Sequence, residues 1–197
     1  MNDGDRSHMT RVKLRTIALV GLLCCIPLAY AIARPATALQ FATGFSCRSD
    51  LVCTEDPARL GEASDLYEDS LAFLTASVGS LQVKPLVVFC ATQSCYSFTG
   101  ESGSAAKTVG KFIIVVSPRG WTPYFLRHEM IHRLQGEKLG VFGMLGKPEW
   151  YVEGMAYALS EDPREQLMEP FQSERARFRA WYATVGRERL WSASVYL

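Results

Sequence analysis

Apolar residues recur along this chain in two rhythms, and one stretch has no polar break at all. That stretch is Ile17 to Ala33, IALVGLLCCIPLAYAIA, which carries no charge. Its 17 residues lie at the short limit for a membrane-spanning helix. Arg6, Arg11, Lys13 and Arg15 precede it, which predicts a cytoplasmic basic N-terminus (1–16) and a single-pass transmembrane anchor (17–33). Ala31-Ile32-Ala33 resembles a small-x-small cleavage site, so a cleaved signal peptide is the alternative. Arg34-Pro35 follows directly and is a poor cleavage context, so we favour the anchor. Either reading puts the rest of the chain outside the cytoplasm.

Residues 34–55 read as a tether with an irregular entry. The domain proper is expected over 56–197. Asp56-Pro57 is a cap followed by proline at the first helical position. Leu60, Ala63, Tyr67, Leu71, Leu74 and Val78 then recur at helical spacing, predicting an amphipathic helix over 57–78. Lys84 to Cys90 (KPLVVFC) and Lys111 to Ser117 (KFIIVVS) are β-rich runs. Between them, 91–109 is rich in Ser, Thr and Gly and reads as a loop, with room for a short strand near Tyr96-Ser97-Phe98.

Thr122-Pro123 repeats the cap-then-proline signal and predicts a helix to about residue 138, burying Leu126, Met130, Ile131 and Leu134. Three glycines make 139–147 a flexible connection. Pro148 opens a helix through Ser160. Asp162-Pro163, with Glu165 completing a capping box, predicts a last helix whose apolar face holds Leu167, Phe171, Phe178, Trp181, Tyr182 and Val185. Arg175, Arg177, Arg179, Arg187 and Arg189 read as its solvated face. The fold class is therefore α+β, a small mixed sheet packed on helices.

Composition narrows the picture. The net charge is +1, so no basic field invites nucleic acid. Of six cysteines, Cys24 and Cys25 lie in the apolar segment. Cys47, Cys53, Cys90 and Cys95 are an even set in an exported domain and predict two disulfides among three possible connectivities. We favour the local pairs 47–53 and 90–95.

The candidate chemistry sits in one window. The chain has three histidines, and two of them, His128 and His132, fall in His128-Glu129-Met130-Ile131-His132. On a helix, positions i and i+4 share a face, so both imidazoles can reach one ion. Glu129 points beside that ion, where a base would be needed. Glu153 is the candidate third ligand, twenty intervening positions after His132. Two imidazoles and a carboxylate leave Zn2+ a fourth position for water.

H-E-x-x-H followed by Trp150-Tyr151-Val152-Glu153-Gly154-Met155-Ala156 resembles the gluzincin metallopeptidases. The second stretch is similar to the W-x-x-E-G-x-A signature of the aminopeptidase N-type catalytic core. The resemblance covers roughly 111–160. It implies a minimal zincin-like domain with His128, His132 and Glu153 as zinc ligands and Glu129 as general base and proton shuttle. It further implies that strand 111–117 is the sheet edge lining the cleft, and that the substrate is a peptide or protein. No G-x-M-E-N-like segment for gripping a free amine is present. Tyr157, Tyr182, Arg119 and Arg127 are candidates for assisting the oxyanion, with packing or surface charge as the plainer role of each. Glu149, Glu161 and Asp162 are near enough in sequence to orient an imidazole, and nothing selects among them. The expectation is a membrane-anchored zinc peptidase acting outside the cytoplasm. The alternatives are a non-catalytic zinc- or peptide-binding relative and a zinc hydrolase of a non-peptide amide.

Overall fold

A computed structural model of the chain describes residue 40 and residues 43–97, 103–109 and 113–197. The apolar segment 17–33 lies outside the described residues. Among the described residues, no helix is long and apolar enough to cross a membrane.

Among the described residues there are five strands, β1 (Ser46–Arg48), β2 (Val52–Thr54), β3 (Leu86–Phe89), β4 (Ala106–Val109) and β5 (Ile113–Val116). Their order across the sheet is β1-β2-β3-β5-β4. β2, β3 and β5 run parallel, and β1 and β4 pair antiparallel at the two edges. The sheet is therefore small and mixed, as the apolar runs anticipate. The two central strands read as unbroken apolar runs because both of their faces are covered. Val87 and Phe89 face the main core, whereas Leu86 and Val88 face a second, smaller one.

The helices are α1 (Leu60–Ser77), α2 (Gln93–Ser97), α3 (Pro123–Met144), α4 (Glu149–Leu159), α5 (Phe171–Val185) and α6 (Leu190–Ser194). α1 follows a single 3₁₀ turn, Pro57–Arg59, and the Asp56 carboxylate accepts from the Ala58 N–H at 3.0 Å, as the cap signal requires. α1, α3, α4 and α5 bury Tyr67, Leu74, Leu126, Met130, Leu134, Tyr151, Met155 and Phe178 against one face of the sheet. The opposite face carries Cys53, Cys90, Tyr96 and Val115. Both disulfides, Cys47–Cys53 and Cys90–Cys95, belong to this smaller core and have the local pairing expected.

Five expectations are corrected. Residues 46–54 are not tether but a β-hairpin inside the sheet. The 91–109 segment holds a short helix and strand β4, and Tyr96 and Ser97 are helical rather than extended. The β-rich run at 111–117 gives β5, which is interior; the edge beside it is β4. No helix starts at Pro163. Glu161 takes φ 58°, and although the Asp162 carboxylate accepts from the Arg164 N–H as a cap would, the chain runs irregularly until Phe171. α3 is helical beyond residue 138 and kinks at Gly140, where φ is 70°.

Candidate metal centre

α3 buries Leu126, Met130, Ile131 and Leu134 toward the sheet, which turns His128 and His132 together toward the cleft edge of the same helix. Their Nε2 atoms lie 3.0 Å apart. α4 brings in the carboxylate: Glu153 Oε2 is 3.5 Å from His128 Nε2, and Oε1 is 3.4 Å from His132 Nε2. Ligand atoms around a tetrahedral ion at ~2.0–2.1 Å are separated by roughly 3.3–3.4 Å. The three donors therefore stand at the mutual spacing that one such ion imposes. His128, His132 and Glu153 form a group that can hold a metal ion. Glu55, Cys90 and Cys95 also cluster, but those sulfurs are joined in a disulfide and offer no thiolate.

α4 delivers Glu153 through the neighbours that the W-x-x-E-G-x-A stretch supplies. Trp150 packs edge-on against Trp181, and Arg177 lies 4.8 Å over its ring. Gly154 allows the backbone of α5 to approach: a Cβ there would lie 2.3 Å from the Glu174 carbonyl oxygen. Ala156 is fully buried. The signature thus reads as one anchor, one ligand, one close approach and one core contact.

The charges fit the geometry. Burial pushes the Glu153 carboxyl upward, but the two imidazoles beside it outweigh burial and hold it well below the usual carboxylate range. Burial disfavours the His132 imidazolium, yet Glu153 outweighs that and raises its pKa. Glu153 is thus an ionised carboxylate ready to meet a cation.

Comparison of the chain with protein families, with curated proteins and with solved structures gives no match.

The group opens into a cleft of about 820 Å³. Residues 103–108, including most of β4, form one wall. Phe125, Leu167, Met168 and Phe171 make an apolar wall, with Arg119 and Arg164 also lining the cleft. Glu129 faces the cleft from α3, and the Thr108 hydroxyl on β4 donates to its Oε2 at 2.8 Å. Tyr157, one turn after Glu153, packs edge-on against the His128 ring at 4.4 Å between centroids. Its phenol is raised by burial and by the Glu153 charge.

Other candidates lie elsewhere. Arg127 pairs with Asp69 and Glu161 and stacks over Phe73. Tyr182 stacks on Phe178 in the aromatic cluster between α4 and α5. Glu161 is held by Arg127 and Asp162 by Arg164, whereas the group bonded to His132 Nδ1 is Gln135, at 3.0 Å. Sequence reasoning passed over Gln135 and Thr108. Gln135 had a signal, since 128, 132 and 135 share one helical face. Thr108 had none, because its strand was read as loop.

Proposed function

We propose that this chain is a zinc-dependent peptidase of gluzincin type that acts outside the cytoplasm. The observation that supports it is the convergence of His128, His132 and Glu153 at 3.0–3.5 Å on the rim of a cleft that also holds Glu129. Two imidazoles and one carboxylate are the catalytic rather than the closed structural donor pattern for zinc. Bound zinc supplies Lewis acidity, polarising a carbonyl and acidifying water.

The chain's own residues do the rest. Glu129 accepts a proton from the attacking water at its carboxylate and returns it to the leaving amide nitrogen. Thr108 holds that carboxylate toward the cleft. β4 is a sheet edge, so an extended peptide can add to it by backbone pairing beside Glu129. The disulfides support an oxidising compartment. The apolar segment 17–33 supports tethering to a membrane.

The test is metal analysis of the purified protein followed by cleavage of a peptide library. About one zinc per chain is expected, as in three-ligand catalytic sites, and His132→Ala should lose it. Glu129→Ala should keep the zinc and lose cleavage. Folded wild-type protein without zinc, or cleavage indifferent to Glu129→Ala, sinks the proposal. Cleavage of envelope polymers but no peptide moves the substrate to a different amide.

A further inference from the structure

Gln135 is fully buried on α3, three residues beyond His132. A buried primary amide must place two N–H donors and a carbonyl acceptor with partners, or carry the cost of unmet polarity. Its Nε2 lies 3.0 Å from the Val152 carbonyl oxygen and 3.5 Å from that of Tyr151. Backbone carbonyls only accept. The opposite orientation of the amide would set oxygen against oxygen, so the NH2 end is fixed toward α4. The Oε1 end then faces His132 Nδ1 at 3.0 Å. An amide oxygen also only accepts, so Nδ1 must carry the proton. In a neutral imidazole, that leaves Nε2 bare. Nε2 is the atom 3.0 Å from His128 Nε2 and 3.4 Å from Glu153 Oε1.

We infer that Gln135 is a positioning residue that sets the tautomer of His132, so that its bare nitrogen is the one turned toward the metal. The information comes from α4: the carbonyls that orient Gln135 belong to the two residues immediately before Glu153. One buried amide thereby ties the readiness of the second ligand to the backbone that carries the third. Partners of this kind fix the ring and raise its basicity, and their loss typically weakens metal affinity 10- to 100-fold. The inference rests on the metal reading for its purpose, but not for its measurement.

The experiment uses the full chain with ¹⁵N-labelled histidine, stripped of metal by a chelator and studied where the imidazoles are neutral. Two-bond proton–nitrogen correlations report which ring nitrogen is protonated. Wild-type His132 should be the Nδ1–H form; an Nε2–H ring in the wild type overturns the inference without any variant. Gln135→Met keeps the length and removes both polar ends. It should shift His132 toward Nε2–H and weaken zinc binding by roughly 10- to 100-fold. Gln135→Glu keeps the acceptor toward Nδ1 but sets its second oxygen against the α4 carbonyls, so it should keep the Nδ1–H form while lowering stability and zinc affinity. A Met variant with an unchanged tautomer, or a Glu variant whose His132 turns to the Nε2–H form, overturns the inference while leaving the zinc site standing. If the wild type binds no zinc, the peptidase reading fails, and the tautomer spectrum still decides the role of Gln135.

Discussion

Glu129 and Thr108 come from different elements, and their 2.8 Å bond crosses the cleft. In the proposed reaction the Glu129 carboxylate moves a proton and needs a fixed direction, which the hydroxyl supplies. Thr108→Val preserves the β-branched shape and removes the donor. Zinc content should stay at the wild-type level while kcat falls by about tenfold, the scale of one hydrogen bond to a charged group. An unchanged kcat would show that Glu129 orients itself. Proton linkage offers a second residue-scale prediction. Glu153 is lowered in the metal-free fold, so its contribution is present above the unfolded value near ~4.3 and is lost as pH falls through its folded value. His132 is raised, so its contribution is full below ~6.5 and is lost as pH rises through its folded value. Both act together between about pH 4.3 and about pH 6.5. Above that window, the metal-free protein should lose stability relative to His132→Ala. Zinc works the other way, because it needs neutral imidazoles. Calorimetry with and without zinc should therefore show a Tm increment that grows from about pH 5.5 to about pH 8. A flat increment would contradict coordination through these rings.

At the scale of elements, the decisive contact is the approach of α5 to α4. Gly154 lies beside the candidate ligand Glu153, and any side chain there meets the Glu174 carbonyl. Gly154→Ala should force the two helices apart, costing about 1–3 kcal/mol, the usual range for overpacking. Because Glu153 rides on the same turn, zinc affinity should fall along with stability. Chemical denaturation and zinc titration of the variant check both, and a fall in stability alone would mean that α4 moves as a rigid piece. The irregular segment between α4 and α5 has its own fastening. Arg175 is almost fully buried and donates to the Arg164 and Glu165 carbonyls and to Gln172 Oε1, each at 2.8 Å. This holds the stretch carrying Leu167 and Met168 against the cleft. Counted as solvated from its place in a run of arginines, Arg175 is the exception to that run. Arg177 and Arg179 follow the ordinary rule more closely, lying on the outer side of the same helix. A charge pattern reports helical face, but not which cation meets backbone carbonyls from a neighbouring loop.

For the molecule as a whole, the sheet separates two jobs. Its helix-covered face carries the large core and the candidate metal centre, and its other face carries a small core with both disulfides. Loops of six and five residues closed by these bonds are worth about 2 kcal/mol each on a chain-entropy estimate. Reduction should lower the unfolding midpoint without changing zinc stoichiometry, because the bonds lie across the sheet from the ligands. Zinc loss on mild reduction would show the two faces to be coupled. The sequence by itself determined what depends on near neighbours. This covers the i, i+4 pairing of His128 with His132, the prolines at the starts leading to α1 and α3, and the apolar central strands. Tertiary structure decided everything that depends on distant partners. Short strands such as 46–48 and 106–109 carry too few apolar positions to announce themselves, and become strands only because a neighbour offers hydrogen bonds. Asp162-Pro163 has the form of a helix start and makes the cap bond to the Arg164 N–H, yet the helix begins only at Phe171. Gln135 acquires its meaning only when α4 presents two carbonyls to it. A helical period is written into consecutive residues, whereas the direction of a buried polar group is fixed by whichever backbone folds against it.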